Sequence, residues 1–439
     1  MKTVIIGGVA AGMSAAAKLK RELKDEQIIV YEKTNEVSYG ACGLPYYVSG
    51  ENDDIDKMRI RSAEDFKKNG IDVYLNHEVV KVDPEQKTIT IVHHDKRFED
   101  TYDRLIVATG ASPIVLPIAG VDDPRVFTLK TLQDGEKLKA ATQQATSVAI
   151  IGGGYIGLEL AEAFLTQKKK VSIIERFPVV LATFDKEFSE MVASHLQENG
   201  VKLYLDQTVT EIKPHADHLT LITDQTQVDA DIVVMSVGIR PNTSFLNNTK
   251  ISMLPNGAII TDEKMRTNIP DIYAAGDCST IVHAITKKPA YIPLGTNANK
   301  QGRVLAEILA GQDKKFDQGL GSAMIKIIDL EVAKTGLSEK EAKDHGLDVI
   351  TSTVTSYDHA GYYPNPTDIT IKIVADKKTR ILLGAQLIGQ KNAVLRMNPF
   401  VVAIDQKMTA EEFSLLDFGY APPFAAPWDV MHIATSTLK

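Results

Sequence analysis

One short grammar, written twice, constrains this chain more than any other feature. An apolar run, a glycine turn, a helical pattern, a second apolar run and a terminal acid follow one another from Lys2 to Glu32 and again from Ser147 to Glu175. Short β-branched runs bounded by turn signals read as buried parallel strands. In the second copy Gly152, Gly154 and Gly157 make a full G-x-G-x-x-G after the run SVAII. The three glycines serve a tight turn, close approach of a pyrophosphate to the backbone, and close helix packing. The following helix then presents its unpaired N–H groups to the phosphates. Glu175 ends the next run about 20 residues on, where an acid bonds a ribose 2′-hydroxyl. That acid repels a 2′-phosphate, so NADH is favoured over NADPH, and Arg176 beside it keeps the preference soft. The first copy is less regular: Gly7, Gly8, Val9, Ala10, Ala11 and Gly12, with valine in place of the middle glycine and Glu32 closing QIIVYE. A plain strand-to-helix turn would also explain it. Two dinucleotide sites in one chain point to a flavin and a nicotinamide.

The remaining runs, among them RLIVATG, DIVVMSVG and DIYAAGD, alternate with helical stretches such as SAAAKLKRELK and LELAEAFLTQKK. Alternation of strand and helix predicts an α/β fold with two Rossmann-like dinucleotide-binding domains. Past residue 320 the texture changes. SAMIKIIDL, DVITSTVTSY, DITIKIV and RILLGAQLIG suggest antiparallel strands; a long helical stretch and the proline-rich YAPPFAAPWD follow. The texture divides the chain into two dinucleotide-binding units and a separate C-terminal α+β domain. A net charge of −8 argues against nucleic-acid binding, which needs a basic surface. No run approaches the ~18 apolar residues of a membrane span. MKTVIIGG leads into glycines rather than a cleavage site. Two cysteines make no disulfide framework, so a reducing cytoplasm is the expected home. No metal is expected.

Two further blocks carry a resemblance. RLIVATGASP returns the chain through Thr109 and Gly110, and TNIPDIYAAGDCS sets Asp277 after a strand. Their order and spacing resemble the FAD- and NAD-linked pyridine nucleotide-disulfide oxidoreductases over roughly the first 320 residues. That family implies an FAD-binding domain from 1–113 and 245–318, an NAD(P)H-binding domain from 114–244, and a dimerisation role for the α+β domain, 319–439. The resemblance implies that Asp277 bonds the FAD ribityl chain, although Asp is also a common helix N-cap. It implies that Tyr155 in GYIGLE covers the flavin until nicotinamide displaces it, with Glu159 near the nicotinamide; both also suit an ordinary first helical turn. Lys33, Val79 and Gly238 complete the cofactor-binding candidates.

Cys42, in SYGACGLPYY, lies about ten residues past Glu32, where this family enters the helix that bears its redox sulfur. A helix N-terminus there would lower the thiol pKa from roughly 8.5 toward neutrality. Relatives with C-x-x-x-x-C close an internal disulfide, but here the partner position is Tyr47. Cys42 would then cycle through a sulfenic acid or a mixed disulfide with a small thiol; an inert buried cysteine is the bland reading. Cys278 reads as a packing residue.

The single-cysteine branch resembles NADH oxidases, NADH peroxidases and coenzyme A disulfide reductases. The oxidases and peroxidases typically carry a histidine in the first glycine turn, where this chain has Ala10 and Ala11. The cysteine block, HAGYYP and YAPPF are similar to the coenzyme A disulfide reductases. That resemblance implies a homodimer in which Tyr420 and either Tyr362 or Tyr363, with Tyr362 favoured, reach the other subunit's cysteine as protonated phenols. Interface packing is the alternative. It further implies coenzyme A contacts at Ser14, Lys18 and Arg21, spaced along one helix face, and at Ser38 and Asn299, while Ala41 offers no polar side chain. The expectation is FAD-dependent reduction of coenzyme A disulfide, or its persulfide, by NAD(P)H through a Cys42–S–S–CoA intermediate. An oxygen-reducing NADH oxidase and a slow flavin redox sensor are the competing readings.

Overall fold

The computed structural model describes residues 1–438. Its first sheet is parallel, with the order Ile272–Ala274, Arg104–Val107, Lys2–Ile6, Gln27–Tyr31, Ile71–Tyr74. Lys2–Ile6 is central, with Val4 opposite both Ile29 and Leu105. The carboxyl ends of its strands therefore deliver Gly7, Glu32 and Thr109 to one edge. The helix Ala10–Glu22 packs along the helix Gly295–Leu309. Their approach is close because Gly302 has no side chain: a Cβ there would stand 2.3 Å from the Ala11 carbonyl oxygen.

The second sheet repeats the plan, ordered Lys202–Leu205, Lys170–Glu175, Ser147–Ile151, Ile232–Met235, Val126–Phe127. Each parallel sheet is accompanied by a three-stranded antiparallel ribbon, 78–101 in the first copy and 209–230 in the second. Where the chain crosses between the two, Ala111–Pro113 pairs with Ile239–Pro241. Asn242 fastens this crossing, taking the Thr109 hydroxyl on its carbonyl at 2.7 Å and donating its amide to the Thr109 carbonyl at 3.0 Å.

The C-terminal sheet is antiparallel, ordered Ala323–Ile327, Leu330–Gly336, Leu382–Gly389, Asp368–Asp376, Val349–Tyr357. The helices Met397–Asp405, Ala410–Ser414 and Val430–Ser436 cover one face, where the Phe400 and Phe413 rings stack at 4.7 Å. Ile325, Ile327, Val332 and Ile388 join a single apolar cluster with Leu158, Phe164 and Phe188 of the second dinucleotide unit. The expected long helical stretch is instead two short helices. Lys407 turns left-handed at φ +55, and Thr409 starts a new helix with a capping box to Glu412.

Buried charge fixes this domain contact. Lys372, only 4% exposed, bonds Asp185 at 3.0 Å, Glu187 at 2.5 Å and Glu339 at 2.8 Å. Lys334 donates to the Thr183 carbonyl at 2.8 Å and pairs with Glu341 at 3.0 Å. No helix among the described residues is long and apolar enough to cross a membrane.

Candidate active site

Both glycine turns are shaped to hold a pyrophosphate. Gly7 and Gly152 have φ of +105 and +109, and a Cβ would fall 2.3 Å from the Ala108 oxygen and 2.5 Å from the Ser236 oxygen. Gly12 and Gly157 let each helix press onto its strand, since a Cβ there would lie 1.9 and 2.1 Å from the Gly7 and Gly152 oxygens. Gly154 faces open space, with no atom within 4 Å of its missing Cβ. The helices Ala10–Glu22 and Tyr155–Thr166 begin with neither a side-chain cap nor an acid in the first turn. By contrast Ser62, Thr131, Ser338 and Thr409 all build capping boxes elsewhere in the chain. Free N–H groups at two long helices, over glycine turns, fit the phosphates of FAD and NAD(P)H.

The two acids serve the turns as well. Glu32 accepts from the Gly8 N–H at 2.7 Å and from the Thr34 N–H and hydroxyl at 2.8 Å. Glu175 accepts from the Gly153 N–H at 2.6 Å and the Phe177 N–H at 2.9 Å. A carboxylate has about four acceptor positions, so each retains capacity for a ribose hydroxyl. Arg176 is stacked over the Phe177 ring at 4.6 Å. Lys33 is exposed, whereas the Val79 side chain is buried beside Ile29 and Tyr31, leaving only its backbone for a ligand. Gly238 takes a left-handed φ of +111.

Cys42 lies in a single 3₁₀ turn, Ala41–Gly43, that runs into the helix Leu44–Ser49. The residue is solvent-exposed, but its sulfur is directed at the uncapped start of the Gly295–Leu309 helix: a Cβ on Gly295 would stand 3.9 Å from it. The Leu44–Ser49 helix packs on the Tyr155–Thr166 helix, which carries Tyr155 and Glu159. The expectation of a lowered thiol pKa is not met by these surroundings. Partial burial pushes the Cys42 thiol up, the Glu159 carboxyl adds to this, and Lys130 opposes with Asp277 weakly against it. The helix after Cys42 has only six residues, too short to offset them. Burial, with help from the Glu162 charge, pushes the Glu159 carboxyl up to about 7. Lys130 pairs with Asp277 at 3.6 Å. Tyr155 packs on Phe184 with ring centroids 6.4 Å apart, and burial raises its phenol to about 12. Cys278 is fully buried, its sulfur donating to the Val107 carbonyl at 3.3 Å, a packing position.

Of the coenzyme A candidates, the structure brings Ser14 and Asn299 together, with the Asn299 amide donating to the Ser14 hydroxyl at 3.0 Å. Lys18 is held by Glu22 at 2.7 Å and Glu307 at 3.0 Å, so its charge is largely spent within the chain. Arg21 is exposed and has no ion-pair partner among the described residues. Ser38 adopts φ +51, donating its N–H to the Gly8 carbonyl at 2.9 Å and so tying the cysteine block to the first glycine turn. The Tyr362 and Tyr420 hydroxyls are hydrogen-bonded to each other, although 58 residues separate them. Tyr363 instead packs edge-on against His359 at 5.5 Å. The phenol pair is exposed. Lys130, Asn242 and Lys372 were not marked by any motif: each acts through a partner distant in sequence.

Residues 1–302 match the pyridine nucleotide-disulphide oxidoreductase family, and residues 322–431 match its dimerisation domain. The NAD(P)H coenzyme A polysulfide/persulfide reductase of Pyrococcus horikoshii is 37% identical over 100% of this chain and 98% of its own. The NADH oxidase of Methanocaldococcus jannaschii is 33% identical over 99% and 98%. The solved structure of reduced CoADR-RHD from Bacillus anthracis superposes with a TM-score of 0.95 at 32% identity, covering 99% of this chain and 79% of that one.

Proposed function

Because the chain belongs to the pyridine nucleotide-disulphide oxidoreductases, and is thus a flavin-dependent NAD(P)H oxidoreductase with two dinucleotide sites, we propose that its oxidant is a coenzyme A disulfide or persulfide. The observation that carries this reading is the lone thiol. Cys42 is open to solvent beside Glu159 and the Gly295 helix, while the other cysteine is buried against the first sheet. In this reading the second sulfur comes from the substrate.

The Cys42 thiol gives its proton to solvent, and the thiolate attacks one sulfur of the disulfide. The Cys42–S–S–CoA bond forms, the substrate S–S bond breaks, and the departing coenzyme A thiolate takes a proton from Tyr420, to which Tyr362 is hydrogen-bonded; Tyr420 regains that proton from solvent. Bound FAD supplies the two-electron relay from NAD(P)H to that mixed disulfide. Its reduction frees the second coenzyme A and restores Cys42, so one NADH and one proton yield NAD⁺ and two thiols per disulfide. Ser14, Asn299, Ser38 and Arg21 would hold the coenzyme, a role supported by the Asn299–Ser14 hydrogen bond and by the tie of Ser38 to the first glycine turn. The tyrosines would come from a second copy of the chain, a homodimer supported by the dimerisation-domain match and by the exposure of Tyr362, Tyr420 and Phe424. The domain division at 113, 244 and 318 is proposed on the same footing, as are the other site roles.

A second reading, oxygen reduction through a Cys42 sulfenic acid, is favoured by Glu159. A carboxyl titrating near 7 beside the sulfur is a proton donor that Ala10 and Ala11 do not supply. One experiment separates the two: anaerobic NADH oxidation with and without coenzyme A disulfide, then in air without it. Turnover that needs the disulfide supports the first reading, and turnover on oxygen alone supports the second. Cys42→Ser should abolish disulfide turnover while the protein keeps its yellow FAD.

A further inference from the structure

The hydrogen-bonded tyrosine pair poses a mechanical problem. Tyr362 is 74% exposed and Tyr420 45%, so little packing fixes either ring. Two free side chains lose rotamer entropy when they hold a single contact. The loops that carry them, 358–366 and 417–429, contain no strand and no α-helix. Within one chain, their spacing is set from beneath.

We infer that Arg396 sets it, as a positioning residue for the leaving-group step; this rests on the proposed role of the two phenols. Arg396 is buried, 9% exposed, at the start of the Met397–Asp405 helix. Its Nη2, whose two N–H groups are shared among three acceptors, donates to the Asp358 carbonyl at 2.7 Å, in the loop of Tyr362, and to the Phe424 carbonyl at 3.2 Å, in the loop of Tyr420. One guanidinium thus spans both loops. It is itself held from two further sides. Nη1 donates to the Asn392 carbonyl at 2.8 Å, and the Asp429 carboxylate accepts from Nε at 3.1 Å and Nη2 at 2.9 Å. Asp429 caps the Val430–Ser436 helix, accepting from the Met431 N–H at 2.9 Å. The Asp358 carboxylate closes the first loop on the Thr367 N–H at 2.8 Å and takes the Asn392 amide at 3.1 Å. Apart from the phenol pair itself, the Ala360 N–H to the Pro422 carbonyl at 3.3 Å is the direct hydrogen bond between the loops among the described residues. A planar fork with five donors can bridge two carbonyls and a carboxylate at once; an ammonium cannot reproduce that geometry.

The test uses the FAD-loaded protein. The hydrogen bond with Tyr362 raises the Tyr420 phenol above its ordinary pKa, and this is a reporter of the spacing. It is read at 295 nm as the titration difference from Tyr420→Phe. In Arg396→Lys the Tyr420 ionisation should move down toward a free phenol. Turnover of coenzyme A disulfide should fall on the order of 100-fold, as a misplaced group costs, while stopped-flow reduction of the flavin by NADH keeps its rate. A wild-type Tyr420 titration in folded Arg396→Lys overturns the inference. If Arg396→Lys does not accumulate, Asp429→Asn, which loosens the same fork, should move Tyr420 in the same direction, and no movement is equally fatal. Tyr420→Phe isolates the underlying reading: full disulfide turnover there removes the phenol from the chemistry, while the titration still decides the clamp.

Discussion

At the scale of single residues, Cys42 is governed by its neighbours rather than by its own helix. The thiol is pushed up by burial and by Glu159, and Lys130 pulls the other way. Alkylation by iodoacetamide, followed by mass spectrometry of the Cys42 peptide, should therefore reach its midpoint at a higher pH than a free thiol. Glu159→Gln should bring the midpoint down and Lys130→Met should raise it; an unmoved midpoint in both would contradict this electrostatic account. Glu159 itself has a stability signature. Its folded pKa, about 7, lies above the roughly 4.3 of an unfolded glutamate. Between those values the folded protein holds a proton the unfolded chain has lost, so stability falls as pH rises through that window and levels off above it. Glu159→Gln lacks this slope. The melting temperature of the wild type minus that of the variant should be larger at pH 5 than at pH 8. The position of Cys42 was legible in the sequence, but its pKa was not, because Glu159 and Lys130 reach it only through folding.

At the scale of elements, the glycine turns were the most readable part, since each glycine answers a local steric demand. Two of them separate stability from binding. Gly157→Ala drives a methyl into the Gly152 carbonyl and should cost on the order of 1–3 kcal/mol. Gly154→Ala enters open space and should cost below about 1 kcal/mol. Both should weaken NAD⁺ binding, Gly154→Ala with nearly unchanged melting, as thermal unfolding and titration calorimetry will show. DITIKIV forms the antiparallel strand its alternation suggests, but its polar Thr370 and Lys372 are buried, Lys372 against Asp185 and Glu187 of the second dinucleotide unit. The helical pattern after residue 390 was legible, but the left-handed turn at Lys407 that divides it was not. Arg396 had no signal, since a lone arginine announces no partners.

At the scale of the whole molecule, the shared site in the proposed dimer has an arithmetic consequence. Co-expressed Cys42→Ser and Tyr420→Phe chains should form heterodimers with one intact site, built from the cysteine of one chain and the phenol of the other. Purified with two different tags, they should recover activity that neither parent has; no recovery would place both groups in one subunit. The two-sheet plan with a third, antiparallel domain was legible from strand order alone. The buried union of Lys372 with three carboxylates was not, because its members come from three separate stretches.

The uncapped starts of the Ala10 and Tyr155 helices bear on how such a chain persists in a cell. Where four other helices finish themselves with a serine or threonine, these two open over glycine turns toward an anion from outside, so the cofactor completes the fold as much as it equips the chemistry. Ligand that binds only the folded form raises stability with its concentration. Riboflavin starvation should then shorten the lifetime of the polypeptide itself, and nutrition would regulate its abundance as well as its colour.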